Sequence, residues 1–157
     1  MRKTMGRRRP KHSVARECEG KPMTDDELIE QAMHARQRAY APYSGFAVGA
    51  AVLAASGRVI TGCNVENASY GLTICAERVA LFKALSEGIR DFRKLAVVTD
   101  TGELTFPCGA CRQVLWEFSP DLVVIVANLR GERQTHLLRD LLPAPFDRHL
   151  LGEPGRE

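Results

Sequence analysis

The chain has 157 residues, 45% of them hydrophobic and 26% charged, with a formal net charge of +3. That is the length and composition of one ordinary globular domain large enough for a core of its own. No apolar run is long enough to span a bilayer: the longest, "FAVGAAVLAA" at 46–55, is strand-sized.

The charge is uneven. Residues 1–22 hold eight Lys/Arg against Glu17 and Glu19, and the remaining 14 basic and 17 acidic residues make the rest net negative. A basic tail can bind nucleic acid or anionic membrane. The preferred reading is a disordered extension with no dedicated role, because Met23 followed by "TDDELIEQA" reads as a domain start. Residues 23–150 are then the domain, and 151–157 a frayed C-terminus. The five cysteines are an odd count with no apolar export signal beside them. They argue for metal binding or free thiols in a reducing cytoplasm, not for a disulfide framework.

The first element is a helix. Thr24 and Glu27 make a capping-box pattern, Asp25 and Asp26 suit the first turn, and Leu28, Ala32, Ala35 and Ala39 recur at helical spacing. It should stop before "APYSG", where Pro42 and Gly45 mark a loop. Strands are expected at 46–55 and at 58–65 ("RVITGCNV"), joined around Ser56 and Gly57 as an antiparallel hairpin. A loop, "ENASYG", follows. "CAERVALFKALSE" is a helix stopped by Gly88. "KLAVVTD" is a buried strand, and "CGACRQVLWEF" a helix with Pro107 at its start. "LVVIVANL" is a second buried strand. A short helix is expected around 136–142, and the last ten residues read as frayed. A hairpin followed by alternating helices and strands implies an α/β fold: a three-layer α-β-α sandwich around a mixed central sheet of about five strands.

Cys75, Cys108 and Cys111 carry the chemistry. Each element begins as a loop feeding a helix N-terminus, where partial positive charge stabilises thiolates. Three thiolates in a cytosolic protein select zinc. A structural site would need a fourth ligand. Cys63 lies within a strand candidate and Cys18 in the tail. His12, His34, His136 and His149 have no metal-type spacing and read as surface residues. A catalytic site leaves the fourth position to water. Glu77, two residues after Cys75, is well placed to reach that water and poorly placed to be a ligand. The reading is therefore an open zinc site with Glu77 moving protons. A first-turn surface glutamate is the ordinary alternative, but C-x-E and P-C-x-x-C each opening a helix are a strong joint signal.

"AYAPYSGFAVGAA", "GCNVENASYG", "CAERVALFKA", "PCGACRQV" and "LLPAPF" together resemble the small, homotetrameric cytidine deaminases, over roughly residues 24–147. The resemblance implies one Zn²⁺ per subunit on Cys75, Cys108 and Cys111, with Glu77 as the catalytic proton shuttle. It implies a substrate pocket made by Phe46 against the pyrimidine, Asn64 and Glu66 on the ribose 3′-hydroxyl, and the stretch Val65, Asn67, Ala68, Ser69 and Tyr70. The backbone around Ala76 completes it, and Phe146 comes from a neighbouring subunit. Arg78 would hydrogen-bond the cysteine sulfurs, with Arg112 sharing that role. A guanidinium there makes physical sense, because three thiolates leave zinc electron-rich and a poor Lewis acid. The implied activity is hydrolysis of cytidine and deoxycytidine to the uridine nucleoside and ammonia, with no nucleic-acid or membrane partner. Alternatives built on the same residues are a blasticidin-S deaminase, a polynucleotide editor using the basic tail, and a non-catalytic zinc module with a closed four-ligand site.

Overall fold

The computed structural model describes residues 22–151. The expectations for the basic extension, save Pro22, and for the end of the chain from 152 onward fall outside them.

Helix α1 (Asp25–Arg36) starts where the sequence signals it. Thr24 Oγ1 accepts from Glu27 N at 3.2 Å, and Glu27 returns the bond to Thr24 N at 2.8 Å. Such a cap contributes about 1 kcal/mol. Leu28, Ala32 and Ala35 are its buried stripe. The helix ends three residues short of Ala39. The chain turns there, and Tyr40 pairs with residues 64–66: Tyr40 N donates to Asn64 O and Glu66 N to Tyr40 O.

Strands β1 (Val48–Ala54) and β2 (Val59–Cys63) form the expected antiparallel hairpin. Gly57 takes φ +87° in its turn, a conformation that suits glycine. Helix α2 (Ala76–Ser86) ends at Gly88. Gly88 N and Ile89 N close back on Leu85 O and Ala84 O, both at 3.0 Å, in the paired arrangement that a left-handed glycine permits. Strand β3 (Phe92–Thr99), helix α3 (Gly109–Phe118) and strand β4 (Val123–Asn128) follow in the expected order.

The sheet runs β2-β1-β3-β4-β5, with β5 at Arg133–Leu137, and is parallel only between β3 and β4. β1 is buried along its whole length because both faces are covered. Ala50, Val52 and Ala54 face the layer of α2 and α3, while Ala51 and Leu53 face Leu28 and Ala32 of α1. Two glycines permit these close layers. A Cβ on Gly49 would lie 1.9 Å from Ala32 O, and one on Gly62 would lie 2.5 Å from Ala80 N.

The fifth strand, β5 (Arg133–Leu137), sits where the sequence suggests loop running into helix. Helix α4 begins only at Leu138 and ends at Leu141. "RQTHL" is polar and mostly exposed, so it has no apolar alternation. Antiparallel pairing with β4, Val124 opposite His136 and Val126 opposite Gln134, makes it a strand. Of the last ten residues, expected to fray, Arg148–Leu151 form a 3₁₀ turn, and the rest lie outside the described residues.

Candidate metal centre and substrate cleft

Cys75 is the residue before α2 and Cys108 the residue before α3. Both have extended backbones and neither side chain caps its helix, so the sulfurs are free to face each other. Their Sγ atoms lie 3.9 Å apart. With the buried Cys111 they form a cluster whose sulfurs are all within 4.8 Å of one another. Around a tetrahedral zinc with bonds of about 2.3 Å, sulfurs sit about 3.8 Å apart. Cys63 is elsewhere, its Sγ 3.3 Å from Arg38 O. Of the described histidines, His34 and His149 are exposed, while half-buried His136 packs edge-on against Phe106 at 5.2 Å.

The hydrogen bond from Cys111 is the largest influence holding the Cys75 thiol down to about 5, and Cys111 keeps its proton correspondingly more tightly. Arg78 Nη2 lies 3.5 Å from Cys75 Sγ. Its Nε is buried with no partner among the described residues. A part-buried guanidinium aimed at sulfur, with an unmet donor, is what an anionic thiolate cluster would hold.

Beside the cluster is a cleft of about 240 Å³. Glu77 lines it with Cys75 and Cys108, together with Phe46, Asn64 and Glu66. Glu77 is only 4% exposed, and burial pushes its carboxyl up to about 7. It makes no ion pair among the described residues. Its position in the first turn of α2 puts a proton-holding group next to the sulfurs.

Residues 22–127 match the family model for the cytidine and deoxycytidylate deaminase zinc-binding region. The chain belongs to this family. It is 57% identical over 120 residues to a cytidine deaminase of Halalkalibacterium halodurans, covering 76% of this chain and 91% of that protein. It is 48% identical over 131 residues to the cytidine deaminase of Sporosarcina psychrophila, covering 83% and 96%. The crystal structure of cytidine deaminase from Burkholderia pseudomallei superposes with a TM-score of 0.78 at 53% identity, over 79% of this chain and 100% of that one. Zinc is the metal of the deaminase family region, and the trio of sulfurs with the adjacent guanidinium fits it.

Within this deaminase fold the expected site residues divide. Phe46, Asn64, Glu66, Cys75, Glu77 and Cys108 share the cleft. Asn64 is buried: its Oδ1 accepts from Val48 N and its Nδ2 donates to Phe46 O, both at 2.8 Å. Glu66 accepts from Tyr43 N at 2.8 Å and Ser44 N at 3.2 Å, and from the Ser44 hydroxyl. The Ser44 contact is the main reason its carboxyl stays below the usual carboxylate range. Tyr70 lies in an adjoining hollow with its ring 5.9 Å from that of Tyr43. Val65 pairs with Ile74, pinning the exposed loop of Asn67, Ala68 and Ser69 beside Cys75. Ala76 is wholly buried in α2. Phe146 is 60% exposed and stands outside the cleft. Arg112, grouped with Arg78 from the sequence, makes its bonds to the carbonyls of Pro107 and Leu141, each at 2.7 Å.

The cleft also contains residues that sequence reasoning passed over: Thr73, Val97, Thr105 and Phe106. Thr105 and Phe106 immediately precede "PCGAC", and adjacency alone could have found them. Thr105 joins a hydroxyl chain through Thr101, at 3.1 Å, to buried Thr99, at 2.8 Å, which holds the approach to Cys108. Ser44 lies in the quoted "APYSG" stretch and lines the hollow beside Tyr70.

Proposed function

We propose that this chain deaminates cytidine and 2′-deoxycytidine hydrolytically to uridine and 2′-deoxyuridine, in pyrimidine salvage. The observation that carries the reading is the buried Glu77 carboxyl, which lines one cleft together with Cys75 and Cys108. Zinc held by Cys75, Cys108 and Cys111 would supply Lewis-acid chemistry at the cleft. Glu77 would take a proton from the attacking water and deliver it to ring N3 as C4 is attacked, then take the proton of the new C4 hydroxyl and pass it to the amine, which leaves as ammonia. A carboxyl poised near neutrality can do each in turn, and its seclusion keeps the protons from bulk solvent. Arg78 withdraws charge from the sulfurs. Phe46 lies against the pyrimidine, and Asn64 and Glu66 take the ribose 3′-hydroxyl. Val65, Asn67, Ala68, Ser69, Tyr70 and the Ala76 backbone frame the rest.

The active assembly is a homotetramer in which Phe146 completes a neighbour's pocket. The bare aromatic and aliphatic surface of Tyr40, Tyr70, Leu72, Phe82 and Phe146, each 45% to 74% exposed, supports such an assembly. Residues 1–22 stand outside the catalytic unit. Among the described residues no helix is long and apolar enough to cross a membrane. The four described cysteines are free, which suits a reducing cytoplasm. An ultraviolet assay over cytidine, deoxycytidine, cytosine, CMP, adenosine and blasticidin S tests the reading. The expected result is turnover of the first two, and turnover of blasticidin S alone would overturn it.

A further inference from the structure

Helix α3 does more than present two cysteines. Three side chains next along it grip residues 141–147. Arg112 Nε donates to Pro107 O and its Nη1 to Leu141 O, both at 2.7 Å. Gln113 holds both backbone groups of Phe146: its Nε2 donates to Phe146 O at 2.6 Å, and its Oε1 accepts from Phe146 N at 3.2 Å. Trp116 Nε1 donates to Asp147 Oδ2 at 2.9 Å. Residues 112, 113 and 116 share one side of the helix, so the contacts line up along it. Residues 142–147 have neither helix nor strand of their own. Backbone bonds hold the two ends of this segment, Leu142 N to Leu138 O and Leu150 N to Asp147 O, and between them Gln113 holds the Phe146 backbone.

One guanidinium therefore ties the peptide that enters Cys108 to the end of α4. The first turn of α3 is exposed at Cys108, Gly109 and Ala110, and exposed helix ends fray readily. Bound metal would clamp that turn through Cys108 and Cys111. A turn that cannot fray keeps Arg112 and Gln113 in register with Leu141 and Phe146.

We propose that Arg112, Gln113 and Trp116 are positioning residues that dock residues 141–147 on the metal-bearing helix, so that metal occupancy sets the pose of Phe146. The consequence for catalysis rests on the proposed role of Phe146 in a neighbour's pocket. The coupling itself does not. Linkage makes it reciprocal: loosening the docked segment should loosen the metal.

The sole tryptophan of the chain is Trp116, so its emission reports the contact with Asp147 directly. Zinc is stripped from the full-length protein with a chelator while Trp116 emission and amide exchange are followed. Emission should shift, and residues 141–147 lose protection, in step with zinc loss, with β1 and β3 still protected. Unchanged emission and protection as zinc leaves would overturn the proposal. Should chelation unfold the sheet as well, the zinc-loaded Gln113→Ala variant decides. It should release zinc to a chromophoric chelator at least about fivefold faster than wild type and expose residues 144–147 to exchange. Wild-type release would overturn the coupling. Phe146→Ala separates the two ideas. If it leaves KM for cytidine unchanged while chelation still frees residues 141–147, the docking stands and the role of Phe146 in the neighbour's pocket falls.

Discussion

The Ser44 hydroxyl joins two residues that line the cleft, Glu66 and Phe46. It donates to the Glu66 carboxylate and accepts from the backbone N–H of Phe46 at 3.0 Å. One small side chain thus sets both the carboxylate proposed to take the sugar and the ring proposed to lie on the pyrimidine. Ser44→Ala removes both bonds and leaves the Phe46 N–H and the Glu66 carboxylate to water. KM for cytidine should rise, with kcat little changed. A fall in kcat at constant KM would show that Ser44 acts on the chemistry instead.

Glu66→Gln should weaken cytidine more than free cytosine, provided cytosine is turned over at all. The carboxylate would face the ribose, and only the nucleoside has one. Equal losses on both substrates would reduce Glu66 to its bonds with Tyr43 and Ser44.

Zinc content should fall for Cys75→Ala, Cys108→Ala and Cys111→Ala, and stay near wild type for Cys63→Ala. The first three sulfurs cluster, whereas Cys63 points to Arg38 O. Metal analysis of the four purified variants checks this. Zinc lost from Cys63→Ala would favour a closed structural site.

Gly62→Ala should damage stability and turnover together. The added methyl would meet Ala80 N at 2.5 Å and Ala76 O at 2.7 Å, both backbone atoms of α2. Overpacking of this kind costs about 1–3 kcal/mol, and relief requires α2 to move, taking Glu77 and the Cys75 junction with it. Thermal melts and kcat/KM on the same preparation measure both effects. A variant with wild-type melting temperature and activity would contradict the close packing of β2 on α2.

Glu77→Gln isolates proton transfer. Glutamine keeps the size and helix propensity but carries no proton between water, N3 and the amine. General acid–base catalysis is worth about 10²–10⁴-fold, and one group serving several steps should lose the top of that range or more. Zinc content should remain near wild type. Near-normal turnover with full zinc would sink the mechanism, and lost zinc would mean that Glu77 holds the metal.

The sequence by itself determined what depends on local signals. The capping box at Thr24, the glycine stops at 57 and 88 and the apolar run of β1 work through backbone conformation and burial of neighbouring residues, so they are written in order along the chain. The family could be read for the same reason, since C-x-E and P-C-x-x-C put their groups within one helical turn. Other features arise only between distant segments. β5 is a strand because Val124 and Val126 offer it partners, and nothing in "RQTHL" requires one. Arg78 and Arg112 look alike as residues after a cysteine. Yet α2 turns the first toward sulfur and α3 turns the second toward Pro107 and Leu141. The bridge from Ser44 to Glu66 spans 22 residues, and that from Gln113 to Phe146 spans 33. Hydrogen bonds select partners by distance and angle after packing has placed the backbone, so only the folded chain decides them.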